Sequence, residues 1–406
     1  MATSLLLNSG AAAVLPGATS TIATYSGDTF AIAFGNDLFP FRLAAGTLSK
    51  LFVRIFSNDV TASSTVISRI NSVDGNLRIS IPAGATGEFY DNANTDSIVN
   101  GDSYNLKFTA GTGGSAGVAR TVVQTLLTVA NRGLVMFGGI HQMGDLVGSR
   151  FSMFCGTAQT TTEANAQARI GANCTLRNFG ANVVFNNDAS SETIVVRING
   201  ATGNLGVTIP SATTGYFEDE DSSDAIVEND LVCLQTSRNG SGTLFNVWPT
   251  ILHAETDNNR FLSSGGDCSV SAATTVTDGA TTHISVNGFE QRSTESDVQS
   301  RNFIPNFFSK LWIRLATNAT TSASTFDLRS NSQSTDLSIS IPSGTTGAFS
   351  NDSDVAPVYD GEQKNLRIVN GGGGSLIWTA QSLLVQNIIA PLLHTFTMFR
   401  EFAVDA

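Results

Sequence analysis

The densest set of groups able to do chemistry is Glu218-Asp219-Glu220-Asp221, with Asp224 close behind, in the stretch after Phe217. Hard oxygen donors of this kind suit Ca²⁺, which takes its ligands from carboxylates and carbonyls. The candidate ligands are Glu218, Asp219, Asp221 and Asp224. A pair of carboxylates converging on one bond would instead suit glycoside hydrolysis. Matching stretches elsewhere carry Asp91 and Asp96, and Asn351, Asp352 and Asp354. No EF-hand loop with its Gly and closing Glu is present, so a solvated acidic loop stands beside the calcium reading. Ca²⁺ is the one cofactor suggested, and no residue is assigned a catalytic role.

Other reactive types are scattered. His141, His253, His283 and His394 have no neighbours at HxH, HExxH or HxxxH spacing, so they read as structural rather than as metal ligands or bases. There is no GxSxG elbow, P-loop or dinucleotide fingerprint. Gly371 to Gly374 lacks a following Lys-Ser/Thr and reads as a hairpin turn. Cys155, Cys174, Cys233 and Cys268 show no CxxC pairing. They read as small buried hydrophobes, with a disulfide such as Cys155–Cys174 as the alternative. Trp248, Trp312 and Trp378 could stack on sugars, although Trp312 lies in an alternating strand where core packing is expected.

What must position these residues is a module used three times. Ile81-Pro82-Ala83-Gly84-Ala85-Thr86-Gly87-Glu88-Phe89 returns as Ile209 to Phe217 and as Ile341 to Phe349, at offsets of 128 (82 to 210) and 132 (210 to 342). Pro82, Pro210 and Pro342 end a strand because proline cannot donate to a ladder. Gly87, Gly215 and Gly347 fit a turn needing positive φ, and Phe89, Phe217 and Phe349 return toward the core. Around this corner, Leu77, Leu205 and Leu337 share a column at period-2 spacing, as do Leu106, Leu234 and Leu366. Arg69, Arg197 and Arg329 share another. They are expected to pair with the acidic column of Asp102, Asp230 and Glu362, or else to bind an anion or glycan in each module.

The chain of 406 residues divides into modules 1–130, 131–255 and 256–386. Hydrophobic content is 41% but charged content only 14%, below the usual value of about 25%. Small polar residues make up the difference, which favours strands and turns over solvent-facing helices. Short strands with turn signals at regular spacing indicate all-β architecture: three tandem antiparallel, jelly-roll-like sandwiches in a row. The first ~45 residues of each module diverge, which is where contacts between modules could specialise.

A formal charge of −12 and pI near 4.7 argue against gripping a phosphate backbone. Met1 to Leu7 has no basic region ahead of its apolar run, so no signal peptide is expected. No apolar run approaches the ~18 residues of a membrane span. The tail, 387–406, holds Ile388, Leu392, Leu393, Phe396, Phe399 and Phe402. It reads as a last strand packed on the third module or as an arm docking on a neighbouring subunit.

The sequence of a strand, an Asn-containing turn, the Ile-Pro-x-Gly-Thr-Thr-Gly-x-Phe loop and Gly-Asp before the next strand resembles modules of tailed-bacteriophage virion proteins. These are head fibres, decoration proteins and tail fibres or spikes. The likeness covers roughly 50–110, 178–240 and 310–370, and the third copy departs from it with Asp360-Gly361-Glu362. The resemblance implies a non-enzymatic structural role on the virion exterior, made in the host cytoplasm. Its partners would be further copies of the chain, with a trimer plausible, and other virion proteins. A carbohydrate-binding adhesin or receptor-binding fibre is the alternative, with a host-surface glycan as ligand.

Overall fold

The computed structural model describes residues 2–9, 12–22, 41–42, 45–99, 101–130, 133–135, 141–143, 148–152, 159–238, 245–250, 252–255, 260–265, 275–284, 286 and 291–387. The tail residues Ile388, Leu392, Leu393, Phe396, Phe399 and Phe402 lie outside them, as do Cys155, Cys268 and His394.

Strands form where short apolar–polar alternations are bounded by Gly, Pro and Asn. The first repeat holds β1 (Ala2–Ser9), β2 (Ala12–Val14), β3 (Thr19–Ile22), β4 (Phe41–Arg42), β5 (Gly46–Asn58), β6 (Ser64–Ile70), β7 (Val73–Ile81), β8 (Gly87–Ile98), β9 (Ser103–Thr109) and β10 (Val118–Ala130). One sheet has the order β1-β10-β5-β8, with β2 also on β10; the other is β3-β9-β6-β7, with β4 also on β9. Counting the eight principal strands along the chain, this is 1-8-3-6 facing 2-7-4-5. That order is the jelly roll, two interleaved Greek keys.

The second repeat holds β11 (Gly133–Val135), β12 (His141–Met143), β13 (Gly148–Ser152), β14 (Gln159–Thr160), a one-turn helix α1 (Glu163–Ala166), β15 (Ala168–Arg169), β16 (Cys174–Asn186), β17 (Glu192–Ile198), β18 (Ala201–Ile209), β19 (Gly215–Ile226), β20 (Leu231–Arg238), β21 (Phe245–Thr250) and β22 (Leu252–Glu255). The third holds β23 (Arg260–Gly265), β24 (Thr275–Val276), β25 (Thr281–Ile284), β26 (Gln291–Arg292), a 3₁₀ turn at Glu295–Asp297, β27 (Ser300–Arg301), β28 (Asn306–Asn318), β29 (Ser324–Ser330), β30 (Gln333–Ile341), β31 (Gly347–Val358), β32 (Gln363–Val369) and β33 (Leu376–Asn387). The same strand order recurs in both: β23-β33-β28-β31 faces β25-β32-β29-β30, and β13-β20-β17-β18 faces the sheet built on β16.

Sandwiches strung independently in a row are not what is seen. β11 pairs antiparallel with β22 and parallel with β23, through Val135 and Leu262, so the second and third repeats share one eleven-stranded sheet. The first repeat, meanwhile, packs on the third rather than on the second alone. Buried side chains of the first and third repeats belong to one continuous cluster, while the second has its own.

Period-2 alternation places the core. On β7, β18 and β30 every second residue is buried: Leu77, Ile79 and Ile81; Leu205, Val207 and Ile209; Leu337, Ile339 and Ile341. Each of these strands stops one residue before its proline. The chain then turns through Gly87, Gly215 and Gly347 at φ of 104°, 118° and 107°, a region open to glycine and costly for other residues. Phe89, Phe217 and Phe349, half-buried, pack back against the core.

Candidate functional site

The retained polar columns serve the scaffold. Asn71, Asn199 and Asn331 all take left-handed backbone at φ near 50°, a conformation asparagine tolerates better than most residues. Each donates to the acidic column: Asn71 to Asp102 at 2.7 Å, Asn199 to Asp230 at 2.7 Å and Asn331 to Glu362 at 3.1 Å. The acidic column is therefore occupied by asparagine, and the expected arginine pairing is corrected. Arg69 bonds Asp74, whereas Arg197 and Arg329 reach Glu163 and Glu295 in the divergent halves of their repeats.

The acidic stretch is also corrected. Residues 215–226 form strand β19 rather than a loop, and Glu218, Asp219, Asp221 and Asp224 do not converge. Buried Asp224 accepts the backbone N–H groups of Asn204 (2.7 Å) and Leu205 (3.1 Å). Asp219 accepts those of Gly206 and Ser222, both at 3.0 Å. Glu218 and Asp221 are exposed. Among the described residues no group of three or more His, Cys, Asp or Glu is placed to hold a metal ion.

Those Asp219 bonds hold open a bulge that all three repeats share. Opposite it, Lys50, Asn178 and Lys310 have φ of 54°, 56° and 55°. In the first repeat Ser49 pairs Thr95 and Leu51 pairs Asp91, leaving 92–94 bulged out against Lys50. The second and third repeats skip 220–222 and 352–354 in the same way. A bulge re-aims side chains out of the sheet, and here they point at another module.

Two joints result. The outer face of β5 and β8 receives the edge of the third repeat. Lys50 Nζ donates to the Phe303 carbonyl at 2.7 Å and lies 5.8 Å from its ring centre, while Phe52 meets Phe303 edge-on at 6.1 Å. Arg54 donates to the Ser296 carbonyl at 2.8 Å and also pairs with Glu88. Gln363 reaches Glu88 at 2.7 Å, and Arg301 stands 3.7 Å from it and over the Tyr90 ring.

The outer face of β28 and β31 receives the edge of the second repeat in the same manner. Lys310 pairs with Glu228 at 2.8 Å, and Trp312 is buried among Ala166, Ala168, Cys233 and Ala380. Arg169 grips Asp352 with both terminal nitrogens, and this guanidinium holds the Asp352 carboxyl below its usual range. Lys50 and Lys310 were visible as an offset-260 pair in the sequence. Arg169 and Arg301, at an offset of 132, carry the same signal.

Trp312 is thus buried at a joint, and Trp378 is fully buried. Neither presents a face to a sugar, and the side chain of Trp248 lies outside the described residues. Cys174 and Cys233 are buried free thiols, which removes the Cys155–Cys174 disulfide. His283 is buried beside Asn365, and burial lowers its imidazole pKa below the usual value. One exposed column is apolar in every repeat: Val99, Val227 and Tyr359 are 64%, 63% and 50% exposed just before the Asn-capped turn.

No protein-family model matches the sequence, and no curated protein matches it significantly. Among solved structures, it is similar to a protein of an archaeal virus described by its triple jelly roll fold and turret assembly. That match has 14% identity and a TM-score of 0.20, over 94% of this chain and 90% of the other. An insecticidal delta-endotoxin from Bacillus thuringiensis matches at 10% identity and a TM-score of 0.17, over 64% of this chain and 53% of that one. PNGF-II matches at 8% and 0.19, over 83% and 99%. Likenesses at these scores carry no argument about function.

Proposed function

We propose that the chain is a non-enzymatic structural subunit on the exterior of a virus particle, of the tailed-phage kind its repeated motif resembles. It acts by packing against further copies of itself and against other shell, fibre or tail proteins. The observation that carries this reading is the joint used twice: a bulged outer face that seats the edge of another jelly roll through an aromatic anchor and ion pairs. Such joints make three modules into one stiff body, which suits a load-bearing subunit. The acidic stretch, in which a catalytic pair was sought, gives two of its carboxylates to backbone N–H groups. The acid excess keeps such a subunit off nucleic acid and places it outside the genome compartment. The glycan-binding alternative loses two of its three tryptophans to burial.

The test is quantitative mass spectrometry and antibody labelling of purified particles. A fixed copy number per particle, with the label on the outer surface, is expected. A protein abundant in the infected lysate but missing from washed particles would overturn the proposal.

A further inference from the structure

Each joint seats an edge on a face. The face of the first repeat takes the edge of the third, and the face of the third takes the edge of the second. One face, β16 with β19, and one edge, β4, remain, and both carry the marks of the joint.

β4 pairs with β9 as β15 pairs with β20 and β27 with β32. In that register Arg42 stands opposite Ser103, Arg169 opposite Leu231 and Arg301 opposite Gln363. The same register position holds arginine three times. Arg169 is received by Asp352, the first residue of the bulge on β31, and Arg301 by Glu88 with Tyr90 on β8. On β19 the bulge begins at Glu220, and Glu218 occupies the position of Tyr90. Both glutamates are exposed on the outer side of the strand. The acidic cluster therefore has its carboxylates where the other two faces receive an arginine.

We propose that the chain closes on itself as a ring of three jelly rolls, with Arg42 of the first repeat received by Glu218 and Glu220 of the second. A head-to-tail contact either closes into a ring or runs on into an open array. Closure within the chain is favoured here because β10 ends at Ala130 and β11 begins at Gly133. So short a link keeps the edge of the first repeat beside the face of the second at high effective concentration. The third joint differs from the other two at its centre, where Gly180 stands in place of Phe52 and Trp312, so its hold is electrostatic.

The experiment uses the full chain with Arg42→Lys, treated while dilute with a zero-length carbodiimide that couples an amine to a carboxylate in contact. Arg169→Lys, facing Asp352, is the control. Mapping of the monomer-sized species by mass spectrometry is expected to find residue 42 coupled to Glu218 or Glu220, and the coupling is lost in E218Q/E220Q. Coupling confined to a dimer-sized species would mean that a second copy occupies the face, which overturns ring closure. No coupling at residue 42, with the control coupled, would overturn the contact itself. Independently, R42E is expected to lower Tm by a few degrees and E220R in the same chain to recover most of that loss; no recovery counts against the pair.

Discussion

Gly203 and Asp224 in the second repeat do what Thr335 does alone in the third. The buried N–H of Leu205 needs an acceptor and finds Asp224 at 3.1 Å; the equivalent N–H of Leu337 finds the Thr335 hydroxyl at 3.3 Å. A Cβ on Gly203 would stand 2.4 Å from Asp224 Oδ2, so residue 203 must be glycine while 224 is aspartate. The third repeat has Ala356 at the aspartate's position, which makes room for threonine. Asp224→Ala alone is expected to cost about 2 kcal/mol by stranding a buried donor. Gly203→Thr alone is destabilising by collision, and G203T/D224A should recover at least half of either loss. Urea unfolding of the three variants measures this, and simple additivity would refute the coupling. A second residue-scale expectation concerns Lys364, which burial lowers from 10.5 to about 7. Its Nζ donates to Asn302 Oδ1 at 3.0 Å and meets no carboxylate in a printed bond or ion pair. Between about pH 7 and 10.5 the unfolded chain keeps a proton that the folded chain has released. Stability attributable to this group therefore rises with pH across that window, by at most ~1.4 kcal/mol per unit. Lys364→Met should flatten the rise and stabilise the protein at pH 7 and below, as read from thermal midpoints over pH 6–10; an unchanged profile would exclude it.

At the scale of elements, the bulged strand is the part on which the joints depend. Trp312 projects from β28 on the side away from Leu311, Ile313 and Leu315, yet it is 3% exposed because the second repeat covers it. Trp312→Ala is expected to cost about 3–5 kcal/mol. It should also split unfolding into separate transitions, visible by calorimetry, since the second and third repeats lose their anchor. A single transition at the wild-type midpoint would show that the joint does not couple them. This element explains what was legible in the sequence and what was not. β7, β18 and β30 could be read directly, because alternation with period 2 ends at a proline in all three copies. The burial of Trp312 was expected, but its location was not: alternation says which side a residue faces, not what covers that side. The partners of Arg197 and Arg329 were misassigned because Glu163 and Glu295 lie in the halves that diverge, where column-by-column reading has no register. The acidic stretch looked like a loop for a related reason. Its Asp and Glu residues oppose strand formation by propensity, but pairing to β16 and carboxylate bonds to backbone N–H groups outweigh that preference.

For the molecule as a whole, three copies of one topology present the same surface feature three times. Val99, Val227 and Tyr359 are each at least half exposed, immediately before a turn closed by Asp102, Asp230 and Glu362. The turn itself does not need them to be apolar, since it is held by their backbone N–H groups at 2.7–2.9 Å. A single exposed apolar side chain means little, but three in one register position point to a use outside the chain. In a structural subunit that use is lateral packing, with each copy of the turn placing an apolar contact against a neighbour. The variant V99S/V227S/Y359S should fold with each site within about 0.5 kcal/mol of wild type. It should fail to be retained on particles when wild-type protein is supplied in competition. Normal retention of a stably folded triple variant would remove this surface from the interface. Loss of retention together with loss of stability would instead assign these residues to the fold.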